Sequence, residues 1–219
     1  MLPKIIIHNS LSLDGSLTNF EPNMGLHYQI AGKYKPDAHL IGSNTAKIGV
    51  TLYSDGIPKE EKEDFKKPKR DNTLPYWVMI DTKGALKGIL HIARRFEFSR
   101  DIIVLISEDT PKEYIAYLEE RNYDYRKAGK DHVDLKTALE ILANDYAIKT
   151  ILTDTGRILN DLLLNHGLVS EISLLIHPLI VGKNVYPMFS EVNKTLNLTL
   201  QKKETFDNGY VWLVYKVNK

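Results

Sequence analysis

Residues 151–160 read ILTDTGRILN. With Lys149 and Thr150 ahead of it, the apolar start predicts a short buried strand over 149–153. Asp154-Thr155-Gly156 then turns the chain, and a helix is expected around 158–165, stopped by His166-Gly167 because glycine commonly follows the last helical turn. A strand that passes through small polar residues directly into a helix is the building unit of a parallel α/β sheet. The same alternation recurs outward in both directions. Toward the amino terminus, Asp134 caps a helix through Tyr146 with Leu135, Ala138, Leu139 and Leu142 on its apolar stripe. The run IIVLI at 102–106 is a buried strand, and Thr110-Pro111 opens a helix through Arg121 with proline at the first helical position. A weak edge strand is expected at 123–126. Further strands fall at 76–80, at 38–41 (closed by Gly42 and followed by a short helix over 43–48) and at 5–7. This last run continues with alternation to Leu13, ahead of the Asp14-Gly15 turn. Asn23 is the expected cap of a helix through Lys33. Toward the carboxyl terminus, a strand at 171–176 ends at His177-Pro178. Two runs at 196–205 and 210–217 then flank Asn208-Gly209, a hairpin signal. These elements predict an α/β fold, a mostly parallel mixed sheet with helices on both faces and an antiparallel carboxyl-terminal hairpin, in a single domain over 1–219.

Composition narrows the function classes. The chain has 219 residues, 43% hydrophobic and 26% charged, with a net charge of +1. That charge gives no electrostatic case for nucleic acid or an anionic membrane. Without cysteine there is no disulfide, thiolate nucleophile or cysteine-based metal site. No apolar run approaches a membrane span, and the amino terminus is too short in apolar residues for a signal peptide, so a cytoplasmic protein is expected. The charged segment 54–75, SDGIPKEEKEDFKKPKRDNTLP, reads as an exposed excursion with a short solvated helix at most.

In open parallel sheets, ligands bind at the carboxyl ends of the strands. Four such ends carry small, polar or basic residues: Gly42-Ser43-Asn44-Thr45, Asp81-Thr82-Lys83-Gly84, Ser107-Glu108 and Asp154-Thr155-Gly156-Arg157. Each alone serves equally as helix capping or a turn; together they suit a phosphate-bearing ligand. The Gly-x-Gly-x-x-Gly and Gly-x-x-x-x-Gly-Lys signatures are absent, as is a Gly-x-Ser-x-Gly elbow. In the first strand, His8, Ser10, Ser12 and Asp14 occupy alternate positions and share one face if the strand is regular. That face is either the wet side of an edge strand or the floor of a substrate cavity. No histidine has a partner at metal spacing, so no metal is expected.

Four segments resemble the dihydrofolate reductase-like reductases of riboflavin biosynthesis, the diaminohydroxyphosphoribosylaminopyrimidine and pyrimidinone reductase group. They are Ser12-Leu13-Asp14-Gly15; residues 38–45, AHLIGSNT; residues 151–160; and residues 168–182, LVSEISLLIHPLIVG. Order and spacing agree from about residue 4 to the end. The resemblance implies NADPH lying across the strand ends in one continuous cradle. Gly42, Ser43, Asn44 and Thr45 would contact it, with Thr82 and Lys83 near the adenosine phosphate, Ser107 along the adenine, and Thr155, Gly156, Arg157 and Ile158 at the pyrophosphate. It implies reduction of a phosphoribosylamino group to a ribitylamino group, with Asp14, Asp154 and His8 as catalytic candidates and Ser10, Ser12 and Asp14 toward the substrate. It also implies a homodimer. Two departures stand out. Thr155-Gly156-Arg157 replaces the family's glycine run, where Arg157 offers charge instead. Residues 46–75 replace its Asp-Asp-Pro-x-Leu segment, which shapes the substrate-phosphate side. They leave open a reductase of another pteridine-like or small substrate, a non-catalytic ligand-binding relic of the fold, or an unrelated phosphate-binding α/β enzyme.

Overall fold

A computed structural model describes residues 1–52 and 56–218. In chain order the elements are β1 (Lys4–Ser12), α1 (Met24–Lys33), β2 (Ala38–Gly42), α2 (Ser43–Leu52), β3 (Tyr76–Ile80), α3 (Leu90–Arg94), β4 (Ile102–Ile106) and α4 (Lys112–Glu120). They continue with β5 (Asp124–Lys127), α5 (Leu135–Tyr146), β6 (Thr150–Thr153), α6 (Arg157–Asn165), β7 (Val169–His177), β8 (Leu198–Thr205) and β9 (Val211–Val217). The chain divides into two compact units, Met1–Pro3 with Asp37–Lys149, and Lys4–Pro36 with Thr150–Lys219.

In the first unit, β2, β3, β4 and β5 form a wholly parallel sheet in that order. All five residues of β4 are buried, as a strand covered on both faces requires. Ile102, Val104 and Ile106 on one face of it join Leu86, Leu90, Tyr114 and Leu118 in one core, and each such burial contributes about 2 kcal/mol. Gly84 has φ +72°, and a Cβ there would lie 2.8 Å from the Tyr114 ring. Only glycine combines that backbone with that contact.

In the second unit, β1 lies between β6 and β7, parallel to both, and β7 carries the antiparallel β9–β8 pair. The hairpin turns where Asn208 and Gly209 both take positive φ, 61° and 82°, as Asn-Gly permits. Because β1 is internal and buried on both faces, it is not an edge strand with a wet side.

Three expectations change in detail. Helix α2 runs to Leu52, beyond the short helix expected over 43–48. Pro111 is the cap of α4 rather than its first helical residue, and the Thr110 hydroxyl accepts from the Ser107 amide instead of capping. The charged excursion is pinned to the first unit rather than only solvated; its Ser54 and Asp55 lie outside the described residues. Asp64, 7% exposed, accepts from Arg95 at 2.8 and 2.6 Å. Arg121 donates to Glu60 at 2.8 Å, and Arg70 donates to the Phe96, Ser99 and Arg94 carbonyls. Sequence-distant arginines thus neutralise charges that the local pattern left facing water.

Candidate active site

The first unit places its candidate residues at the carboxyl ends of three adjacent parallel strands. Gly42 ends β2 and Ser43, Asn44 and Thr45 open α2. After β3, the buried Asp81 carboxylate accepts from the Ala85 and Leu86 amides at 2.9 and 2.8 Å. This fixes the turn that carries Thr82 and the exposed Lys83. Ser107, after β4, is fully buried and its hydroxyl donates to the Asp131 carbonyl at 3.3 Å. Its hydroxyl is thus turned into the fold.

The second unit brings His8, Ser10 and Asp154 together around a residue that no motif marked, His27 of α1. Trp212 Nε1 donates to Ser173 Oγ at 2.8 Å, and that hydroxyl lies 2.9 Å from His8 Nδ1. His8 Nε2 lies 3.2 Å from the His27 carbonyl, which can only accept. These partners fix the protons: Nε2–H donates to the carbonyl, and Ser173 Oγ, accepting from Trp212, donates to Nδ1. His8 is therefore a neutral imidazole with both nitrogens engaged. Burial, and next the adjacent His27 charge, pull its pKa down to about 4.

The His27 ring stacks on His8 with centroids 4.4 Å apart. Its Nδ1 lies 3.1 Å from Ser10 Oγ, and its Nε2 lies 3.7 Å from Asp154 Oδ2. The Asp154 side chain is 21% exposed and that of His27 is 5% exposed, so the carboxylate is the member of the pair open to solvent. Sequence spacing could not find His27, because α1 reaches β1 and the end of β6 only in the folded unit.

Ser12 and Asp14 belong to a different constellation. Asp14 lies beyond the end of β1, so the alternation that would align it with His8 stops at Ser12. Its Oδ1 accepts from Ser12 Oγ at 2.6 Å and from the Val181 amide at 3.1 Å; Oδ2 accepts from the Gly182 amide at 2.7 Å. These bonds, the Ser12 hydroxyl first, hold its pKa down to about 2. Here the carboxylate ties the first strand's turn to the loop after β7.

Gly156 is the N-cap of α6 and, being glycine, brings no capping side chain. Gly156 has φ −73°, so the missing glycine run imposes no left-handed backbone. Thr155 is buried, its carbonyl accepting from Asn9 and Asn160 at 3.2 and 3.3 Å. Ile158 is 64% exposed in the first helical turn. The Arg157 guanidinium lies over the Tyr186 ring at 4.2 Å, a stacked position that keeps its charge. Among the described residues, no three or more histidine, cysteine or acidic side chains gather to hold a metal ion.

A family model for the RibD C-terminal domain matches residues 3–212. The chain belongs to this family. Its fold is dihydrofolate reductase-like, as in the RibD-type structures it resembles. A pyrimidine reductase-like protein from Corynebacterium diphtheriae superposes with TM-score 0.70 at 20% identity, over 99% of this chain and 92% of that one. The riboflavin biosynthesis reductase Rib7 of Saccharomyces cerevisiae superposes with TM-score 0.65 at 18% identity, over 99% and 90%. In sequence, RibD of Chlamydia muridarum is 22% identical over 206 residues, covering 90% of this chain and 52% of RibD. An uncharacterised Bacillus subtilis protein, YyaP, is 40% identical over 55 residues, 25% of this chain and 29% of that protein. The chain thus spans about half or less of the curated relatives it matches.

The neutral His8 has a consequence for stability. Its folded pKa of about 4 lies below the unfolded value of about 6.5. Between these values the unfolded chain binds a proton that the native ring refuses, so stability falls as pH drops through that window. The full loss is about 3 kcal/mol for a buried group shifted this far. Urea unfolding between pH 7 and pH 4 is expected to show this loss, and His8→Gln to remove it. An unchanged pH dependence in the variant would refute the neutral assignment.

Proposed function

We propose that the protein is a reductase of riboflavin biosynthesis that uses NADPH to convert a phosphoribosylaminopyrimidine to its ribitylamino product, as a cytoplasmic homodimer. The observation that supports it best is the match of the RibD C-terminal domain family over residues 3–212, with Asp154 and its partner His27 standing directly ahead of the start of α6. The amino-terminal end of a helix, with its dipole, suits a phosphate group. When bound, the nicotinamide supplies a hydride.

The chain's own residues take the remaining tasks. On this reading the cofactor-binding candidates are Gly42, Ser43, Asn44, Thr45, Thr82 and Lys83 in the first unit, and Thr155, Gly156, Arg157 and Ile158 in the second. Ser10 orients His27, and the Asp154 carboxylate relays the proton of ring opening: it takes the proton of the exocyclic amine, the bond from C1 to the ring oxygen breaks as the C1–N double bond forms, and the proton passes to the ring oxygen; C1 then takes the hydride and the nitrogen a proton from water. Asp14 shapes the substrate side by holding the loop at 181–182. Its engagement there, with the altered segment 46–75, also suits a reductase of another small pteridine-like substrate.

Titration with NADPH and NADH, followed by nucleotide fluorescence, tests the reading. NADPH is expected to bind more tightly, and a response to neither nucleotide would remove the proposal. Lys83 is exposed and its cation suits the 2′-phosphate. Lys83→Ala is expected to weaken NADPH binding about tenfold, one charged contact being worth roughly 1.4 kcal/mol, while leaving NADH unchanged. An unaltered NADPH to NADH ratio would refute the role of Lys83.

A further inference from the structure

We propose that His27 is the positioning residue through which Asp154 acts, while His8 forms an inert neutral wall behind it; this rests on the reductase reading above. Both His8 nitrogens are engaged, one by the Ser173 hydroxyl and one by the His27 carbonyl. His8 therefore has no nitrogen left for substrate. His27 differs. Its Nδ1 faces only a hydroxyl, Ser10 Oγ, at 3.1 Å, and a hydroxyl can donate to it. Nε2 then carries the hydrogen and faces the Asp154 carboxylate, an acceptor, at 3.7 Å.

That separation is long for a hydrogen bond. Catalytic contacts of this kind commonly tighten once substrate is bound. The His27 ring is held on one side by the His8 stack at 4.4 Å and by the edge contact with Tyr28 at 5.1 Å. It cannot swing away from Asp154 without disturbing both. The ionisable groups around His27 are His8 on β1, Tyr28 on its own helix, Asp154 after β6 and His177 on β7. Of these, Asp154 is the carboxylate.

His27 thereby faces Oδ2 of Asp154 and keeps an N–H beside the carboxylate. In the proposed reaction the Asp154 carboxylate relays the proton of the exocyclic amine to the ring oxygen and returns to its charged form, and His27 sets that group's orientation. Nothing in the linear pattern indicates this, because residues 27 and 154 are brought together only by α1 packing on β1.

Two measurements test the proposal. Nitrogen-15 NMR of labelled histidine in the intact protein reads the His27 tautomer without substrate or cofactor. The expected result is hydrogen on Nε2 in the wild type and a changed tautomer balance in Asp154→Asn. Hydrogen on Nδ1, or ring signals indifferent to Asp154→Asn, would overturn the proposal whether or not the protein is a reductase. Turnover supplies the second test. His27→Gln is expected to lower kcat about 100-fold, the lower end for lost acid–base support, with KM for NADPH unchanged. In the Asp154→Asn background the same substitution should cost less than about threefold, since coupled residues are non-additive. Equal losses in both backgrounds would make His27 merely structural. Failure of the reductase reading itself would show separately, as a wild type that binds neither nucleotide.

Discussion

Asparagine at position 154 is expected to lower turnover by about 10²–10⁴-fold, the contribution typical of a positioned acid or base, while leaving NADPH affinity within about twofold. The asymmetry follows from the site. Asparagine keeps the size and shape of the side chain that follows β6. It removes the ionisable group that faces His27 Nε2. A residue that acts on proton transfer lowers kcat and leaves cofactor binding intact; one that only supports the fold lowers both. Steady-state kinetics with a parallel NADPH titration distinguish the two, and equal losses would contradict the assignment.

Replacing Arg94 by methionine is expected to destabilise the first unit by about 3–5 kcal/mol, the usual consequence of breaking a buried ion pair. Arg94 is 3% exposed. Its Nε donates to Asp101 at 3.0 Å, and its terminal nitrogens donate to the Asp64, Arg121 and Asn122 carbonyls at 2.9, 2.8 and 3.1 Å. The guanidinium also lies 3.8 Å from the Tyr123 ring centre. Methionine fills the space but leaves three carbonyls and a buried carboxylate without their donor. Burial already pushes the Asp101 pKa up even with Arg94 beside it, so the lone acid would take up a proton rather than remain charged. Trp77 belongs to the first unit and Trp212 to the second. Urea unfolding read at each tryptophan in single-tryptophan variants would assign the loss to Trp77. A loss below about 1 kcal/mol, the ordinary range for surface substitutions, would refute the structural role of Arg94.

The fold was legible because its signals are local. Residues 102–106 are apolar throughout, as a strand covered on both faces must be, and Asn23 and Asp134 mark their helices by side-chain caps that the structure shows, accepting from the Leu26 and Thr137 amides. Asn208-Gly209 marked the hairpin for the same reason, since the turn demands positive φ there. The site was less legible because its contacts are not local. His8, Ser10 and Asp154 were visible as polar residues on or at the end of a strand, but their organiser, His27, sits on a helix with ordinary amphipathic spacing. Asp14 showed the converse failure: alternation put it on the face of His8, whereas the chain leaves the strand after Ser12 and the carboxylate closes a loop. The charged segment misled for a related reason, because Arg94, Arg95 and Arg121, which satisfy it, lie on elements far along the chain.

The central claim is tested most directly by incubating the purified protein with NADPH and 5-amino-6-(5-phosphoribosylamino)uracil and following nucleotide absorbance together with product mass. The account predicts oxidation of one NADPH for each ribitylamino product formed, dependent on Asp154. Tight NADPH binding with no oxidation in the presence of this pyrimidine would contradict it.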